Sequence, residues 1–137
     1  MSAIKLNCIV LIDDNRAANF INKIILDKID CAEHVIAFDS GEEAFKYLTN
    51  KDVESYIKPD LIFLDINMPK MDGWEFVAKL SDDSKTLSLH IPIIILTTSS
   101  NPTDLEKAHN TPEVKELINK PLKKETVLKI LEKYFPA

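Results

Sequence analysis

Glycine is scarce in this chain. Only Gly41 and Gly73 occur among 137 residues, and neither follows the first apolar run, which excludes a glycine-rich loop cradling a nucleotide's phosphates there. Cysteine is equally scarce. Cys8 and Cys31 are too few and too far apart for a disulfide or metal framework, and Cys8, inside Cys8-Ile9-Val10-Leu11-Ile12, reads as a small core residue. No apolar run approaches the ~20 residues that span a bilayer. Met1-Ser2-Ala3-Ile4-Lys5 lacks the apolar core and small-residue cleavage site of a secretory signal, so the expectation is a cytoplasmic protein with no membrane insertion. Positive charge is short as well: 17 Lys and Arg against 22 Asp and Glu leave a net charge of −5. With no basic tract, direct nucleic-acid binding is not expected. His34, His90 and His109 show no metal spacing and receive no function.

What is present is a regular alternation. The length fits one domain, expected to fill residues 1–137 with no attached output module, and 45% apolar with 28% charged residues is an ordinary globular composition. Apolar runs at Leu6 to Ile12, His34 to Phe38, Leu61 to Leu64, Ile91 to Leu96 and, more weakly, Glu116 to Asn119 read as strands rich in Ile, Val and Leu. Amphipathic segments separate them. Asn15 to Asp30 is expected to turn Phe20, Ile21, Ile24, Ile25 and Ile29 inward on one helical face. Ser40-Gly41-Glu42-Glu43 and Asp72-Gly73-Trp74-Glu75 open two further helices with capping boxes. Asn101-Pro102 starts a short, weakly amphipathic helix to about His109, and Lys124 to Phe135 forms the last. Five strands alternating with five helices predict an α/β fold: a parallel sheet covered on both faces, with ligands at the carboxyl ends of the strands. The polar stretch Asn50 to Pro59 is a long connection, either a functional loop or an extra helical turn plus linker.

The strand ends carry the chemistry. Asp13-Asp14 closes the first run, Asp65 closes Asp60-Leu61-Ile62-Phe63-Leu64-Asp65, and Lys120 precedes Pro121 after the last. Three carboxylates brought together repel one another unless something positive sits among them. Lys120 and a hard cation such as Mg²⁺ meet that need. A carboxylate can attack phosphorus to give an acyl phosphate, a reaction that requires chiefly in-line positioning and charge neutralisation. Asp65 is the expected nucleophile; Asp13, Asp14, Asp65 and the carbonyl of Asn67 are the expected metal ligands; Lys120 pairs with Asp65 and then with the phosphoryl oxygens. Thr97 or Thr98 offers a hydroxyl to the new oxygens, with Thr97 favoured by its spacing from Pro92. One of Asp13 and Asp14 is also expected to cap the first helix, and Trp74 and Met71 are read as packing residues.

These motifs in this order resemble the receiver domain of bacterial two-component response regulators. The match rests on Asp13-Asp14, Leu64-Asp65-Ile66-Asn67-Met68-Pro69 with Asp72-Gly73, Ile93-Ile94-Ile95-Leu96-Thr97 after Pro92, and Lys120-Pro121, and it runs from about Leu6 to Phe135. The resemblance implies the flavodoxin-like, doubly wound fold with strand order 2-1-3-4-5. It also implies a single-domain phosphorylation switch, like a chemotaxis regulator, that takes a phosphoryl group on Asp65 from a sensor histidine kinase or phosphotransfer protein and requires Mg²⁺. Thr97 and Lys120 would relay the event, the Lys120–Pro121 bond would be cis, and the output would be binding to a downstream protein. A homodimer is among the forms such a switch takes. The role implied is mainly signalling, with enzymatic action confined to assisting the domain's own phosphorylation and dephosphorylation.

Two positions depart from the family pattern. Leu117 stands three residues before the lysine, where relatives commonly carry an aromatic ring that couples to the switch hydroxyl, and His109-Asn110-Thr111-Pro112-Glu113 replaces a Gly-Ala type turn near the output face of the fourth helix, fifth strand and fifth helix. Asn67 and Ser99 occupy positions that tune water access to the acyl phosphate in relatives. The rivals are weaker. An aspartyl-nucleophile phosphatase needs an acid two residues after the nucleophile, where this chain has Asn67, a flavodoxin-like cofactor carrier needs the missing glycine loop, and a degenerate receiver would lack part of the acidic set.

Overall fold

The computed structural model describes residues 5–50, 54–83, 91–98 and 101–136; His90 and Ser99, noted above, lie outside the described residues. Five parallel strands, β1 (Leu6–Ile12), β2 (Ala32–Phe38), β3 (Leu61–Asp65), β4 (Ile93–Thr97) and β5 (Val114–Asn119), form one sheet in the expected order β2-β1-β3-β4-β5. β3 and β4 are buried throughout and β1 from Cys8 onward, which is why their sequences are almost wholly apolar. β2 and β5 are edges. Both begin two residues earlier than the sequence indicates, because an edge strand tolerates Glu33 and Lys115 and so hides its start.

Side chains alternate across the sheet into two cores. Cys8, Val10, Ile12, Ile62, Leu64, Ile93 and Ile95 point to one face, covered by α2 (Gly41–Thr49), α3 (Gly73–Ser81) and, through Ala108, α4 (Pro102–His109). Ile9, Leu11, Leu61, Phe63, Ile94 and Leu96 point to the other, covered by α1 (Arg16–Ile29) and α5 (Lys124–Tyr134). Burial pushes the Cys8 thiol up to about 11, so it stays a protonated core group.

Four of the five described helices start at a side-chain cap, and α5, which follows Lys123, has none. Ser40 accepts from the Glu43 N–H at 3.1 Å, Asp72 and Glu75 form a reciprocal capping box, and Asn101 accepts from the Thr103 N–H before Pro102. In α1, Asn15 is the cap, accepting from the Ala18 N–H, while Asp13 accepts from the Asn15 N–H. Capping therefore falls to Asn15 rather than to Asp13 or Asp14.

The inward face of α1 also differs from expectation. Asn19, Asn22 and Leu26 are buried with Ile25 and Ile29 half-buried, whereas Phe20 is 66% exposed, Ile21 53% and Ile24 39%. The Asn19 side-chain N–H groups donate to the Asp13 and Phe38 carbonyls at 2.9 and 3.1 Å. The Asp13 carbonyl, just past the end of β1, needs a donor that an isoleucine lacks, and the Phe38 carbonyl at the end of β2, which already accepts from the Asp13 N–H at 3.1 Å, takes a second. Binding them fixes the rotation of the helix and turns the Phe20, Ile21 and Ile24 stripe outward. On α5, Leu128 is likewise exposed, while Val127, Ile130 and Leu131 are buried. In the long connection, Tyr47 of α2 accepts from the Ile57 N–H and donates to the Ile57 carbonyl, so its described part is anchored to α2.

Candidate functional site

Register brings the carboxylates together. Ile12 pairs with Phe38 on one side and Leu64 on the other, so β1 and β3 end level and Asp13 and Asp65 emerge side by side. Both are nearly sealed, at 3% and 4% exposure, while Asp14 faces solvent. Oxygens of Asp13, Asp14 and Asp65 lie within 4.8 Å of one another. Lys120, at the end of β5, extends into this cluster. Its ammonium donates to Asp13 Oδ2 at 2.7 Å and lies 3.2 Å from Asp65 Oδ1. It therefore bridges two carboxylates rather than pairing with Asp65 alone. The Lys120–Pro121 bond is cis, and the Lys120 N–H donates to the Thr97 carbonyl at 2.8 Å.

The electrostatics follow from burial. Asp65's carboxyl is pushed above its ordinary 3.8 by desolvation and then by the charge of Asp13, and pulled back by Lys120 and a backbone hydrogen bond at Asn67. Desolvation alone lowers the Lys120 pKa, but Asp13 and Asp65 together raise it above 10.5, keeping the ammonium charged. Three carboxylates against one ammonium leave two negative charges when all are ionised. One divalent cation balances them. The 4.8 Å span is close to the ~4.2 Å between opposite oxygens around Mg²⁺, so the set fits that ion with small side-chain adjustments or a bridging water.

Thr97 is fully buried at the end of β4, one place beyond Leu96, which registers against Asp65, whereas the neighbouring Thr98 is exposed. Asn67 is exposed on the loop after Asp65. Gly73 packs tightly under that loop. A Cβ there would lie 2.9 Å from the Asp65 carbonyl oxygen and from Ile66 Cα, and the Gly73 N–H donates to the Ile66 carbonyl at 2.8 Å. Only glycine fits this seat.

Two polar contacts escape sequence reasoning. Asn19 closes the β1 and β2 ends from α1, its sole sequence signal being an amide amid isoleucines. Trp74 and Met71 pack on the core as expected, but the Trp74 indole N–H also donates to Asp104 of α4 at 3.0 Å. Nothing local marks a pair 30 residues apart.

Fold and site together define a receiver-type phosphotransfer module. Residues 9–132 match the model of the response regulator receiver domain, and the chain belongs to that family, whose members accept phosphoryl groups from histidine kinases. Among curated relatives, the heme response regulator HssR of Staphylococcus epidermidis is 33% identical over 103 residues, which are 75% of this chain and 40% of that protein. The chain thus spans well under half of the first relatives it matches. Among solved structures, a two-component response regulator from Cytophaga hutchinsonii aligns with a TM-score of 0.84 at 27% identity, covering 94% of this chain and 96% of that one. The phosphorylated cyanobacterial phytochrome response regulator RcpA aligns at 0.73 with 29% identity, covering 93% and 90%. No described helix is long and apolar enough to cross a membrane.

Proposed function

We propose that Asp65 accepts the phosphoryl group and that the chain works as a signalling switch read out by protein binding. The observation that carries this is a carboxylate buried at a strand end between a second carboxylate and a charged lysine. Such a group resists ionisation, and a cation and a phosphoryl group relieve that resistance. In the transfer, an Asp65 oxygen attacks phosphorus, the O–P bond forms as the donor's N–P bond breaks, and the leaving imidazole keeps the electron pair and takes a proton. Asp13, Asp14, Asp65 and the Asn67 carbonyl would hold Mg²⁺, which supplies charge neutralisation when bound. Lys120 lies close enough to move from Asp65 to a phosphoryl oxygen, and the Thr97 hydroxyl at the end of β4 takes another.

The donor in this reading is a sensor histidine kinase or phosphotransfer protein. It docks on the outward stripe of Phe20, Ile21 and Ile24, because α1 begins three residues after Asp13 and carries exposed apolar area beside the site. The product signals to a downstream protein from the cytoplasm without binding nucleic acid or inserting in a membrane, and it can pair with its own copy. Incubation with Mg²⁺ and phosphoramidate tests the core of the proposal. The native chain gains one phosphoryl mass by intact mass spectrometry and Asp65→Asn gains none; an equal gain in both would remove Asp65 from the role.

A further inference from the structure

The position that carries a coupling ring in relatives is Leu117 here, a half-buried side chain on β5 with no donor or acceptor. An aromatic group does connect the site to α4, from a different element. We propose that Trp74 is the positioning residue that couples occupancy of the Asp65 site to the placement of α4, through its hydrogen bond to Asp104. The proposal rests on the reading of Asp65 as phosphoacceptor.

The path is short and rigid at its first step. Gly73 is seated against the Asp65 carbonyl and Ile66 with no room for a Cβ and is hydrogen-bonded to the Ile66 carbonyl, so a shift of the 65–67 backbone carries Gly73 with it. Trp74 is the next residue. Its ring packs on the core shared with Leu117 and Ala108, and its N–H reaches Asp104 Oδ1 at 3.0 Å.

The receiving end is weakly held. α4 has no fully buried residue; Asp104 and Ala108 are half-buried, and Leu105 is 53% exposed. A helix with so little apolar burial is placed by its few polar ties and by its connections, and one of those connections leads back to Thr97. The Lys107 ammonium also lies 5.9 Å from the Trp74 ring centroid, a second contact between the same two elements. At the far end of α3, Ser81 donates to Glu113 at 2.7 Å, just before β5. That tie anchors α3, so movement at its first turn is expressed at Asp104 rather than as a translation of the whole helix.

Trp74 is the only tryptophan in the chain, so its fluorescence reports the contact directly. The test uses the full chain with Mg²⁺ and phosphoramidate, reading intact mass, tryptophan emission, and amide hydrogen exchange of residues 103–109 in the same samples. In wild type, phosphorylation shifts the emission and changes exchange in α4. Trp74→Phe, which keeps a ring and loses the N–H, and Asp104→Ala raise α4 exchange about fivefold before any phosphorylation, the worth of one net hydrogen bond. Both then show little further change on phosphorylation, although they reach the same mass. Asp104→Asn, which still offers a carbonyl oxygen, behaves as wild type. Full mass gain with wild-type exchange in Trp74→Phe and Asp104→Ala overturns the coupling alone. Absence of mass gain in wild type overturns the acceptor reading and the coupling with it.

Discussion

At the scale of single residues, Asp65 is held in tension. Its folded pKa is raised, first by burial and then by Asp13, so the folded protein binds its proton more tightly than the unfolded chain does. Stability of the metal-free protein therefore falls as pH rises from the ordinary 3.8 through the raised value, and the penalty persists above it. Asp65→Asn removes the charge. In EDTA at neutral pH this variant should melt higher than wild type, with the gap closing as the pH falls below the ordinary carboxylate value; a lower melting temperature at neutral pH would contradict the electrostatic account. Mg²⁺ should stabilise wild type and leave Asp65→Asn less affected. Lys120 carries the opposite sign. Lys120→Ala leaves the nearly sealed Asp13 and Asp65 without their counter-charge and should cost about 3 kcal/mol in denaturant unfolding without metal, part of it recovered by Mg²⁺. An unchanged midpoint would show that the lysine does not offset the repulsion.

At the scale of elements, α1 and α3 show what periodicity conveys and what it omits. α1 has apolar side chains on two opposite faces, and amphipathicity cannot choose between them. The choice is made by Asn19, which finds its carbonyl partners only once β1 and β2 lie side by side. Accordingly, Ile21→Gln should change stability by no more than about 0.5 kcal/mol, whereas Leu26→Ala should cost about 2 to 4 kcal/mol. Equal effects in urea unfolding would return Ile21 to the core. α3 depends on a glycine at its first position. Gly73→Ala puts a Cβ 2.9 Å from backbone atoms of residues 65 and 66 and should both destabilise the fold, by about 1 to 3 kcal/mol, and slow phosphorylation by phosphoramidate. A wild-type rate with wild-type stability would mean that the seat under Asp65 is looser than its contacts indicate.

At the scale of the molecule, the parallel sheet covered on both faces and the convergence of Asp13, Asp65 and Lys120 were legible because they depend on patterns that survive in one dimension, whereas the strand order followed from the resemblance to receiver domains. Central strands buried on both faces are apolar without interruption, and residues just past their carboxyl ends fall in one cleft of a parallel sheet. Where burial is one-sided or absent the pattern weakens. Hence the early starts of β2 and β5 and the outer stripe of α1 were hidden. The Trp74 to Asp104 bond joins two helices whose relative placement only the folded sheet sets. The proposed switch draws on the same contrast: the cluster at the strand ends is sealed, α4 is shallowly attached, and charge added at the first would be expressed at the second.

The location of the phosphoryl group on Asp65 can be read chemically. After reaction with Mg²⁺ and phosphoramidate, borohydride reduces an aspartyl phosphate to homoserine, which fragmentation of a peptide containing Asp60 to Met68 can place. Homoserine is expected at position 65 and at no other aspartate. Homoserine at Asp13 or Asp14, or none in a sample whose intact mass shows full phosphorylation, would contradict it.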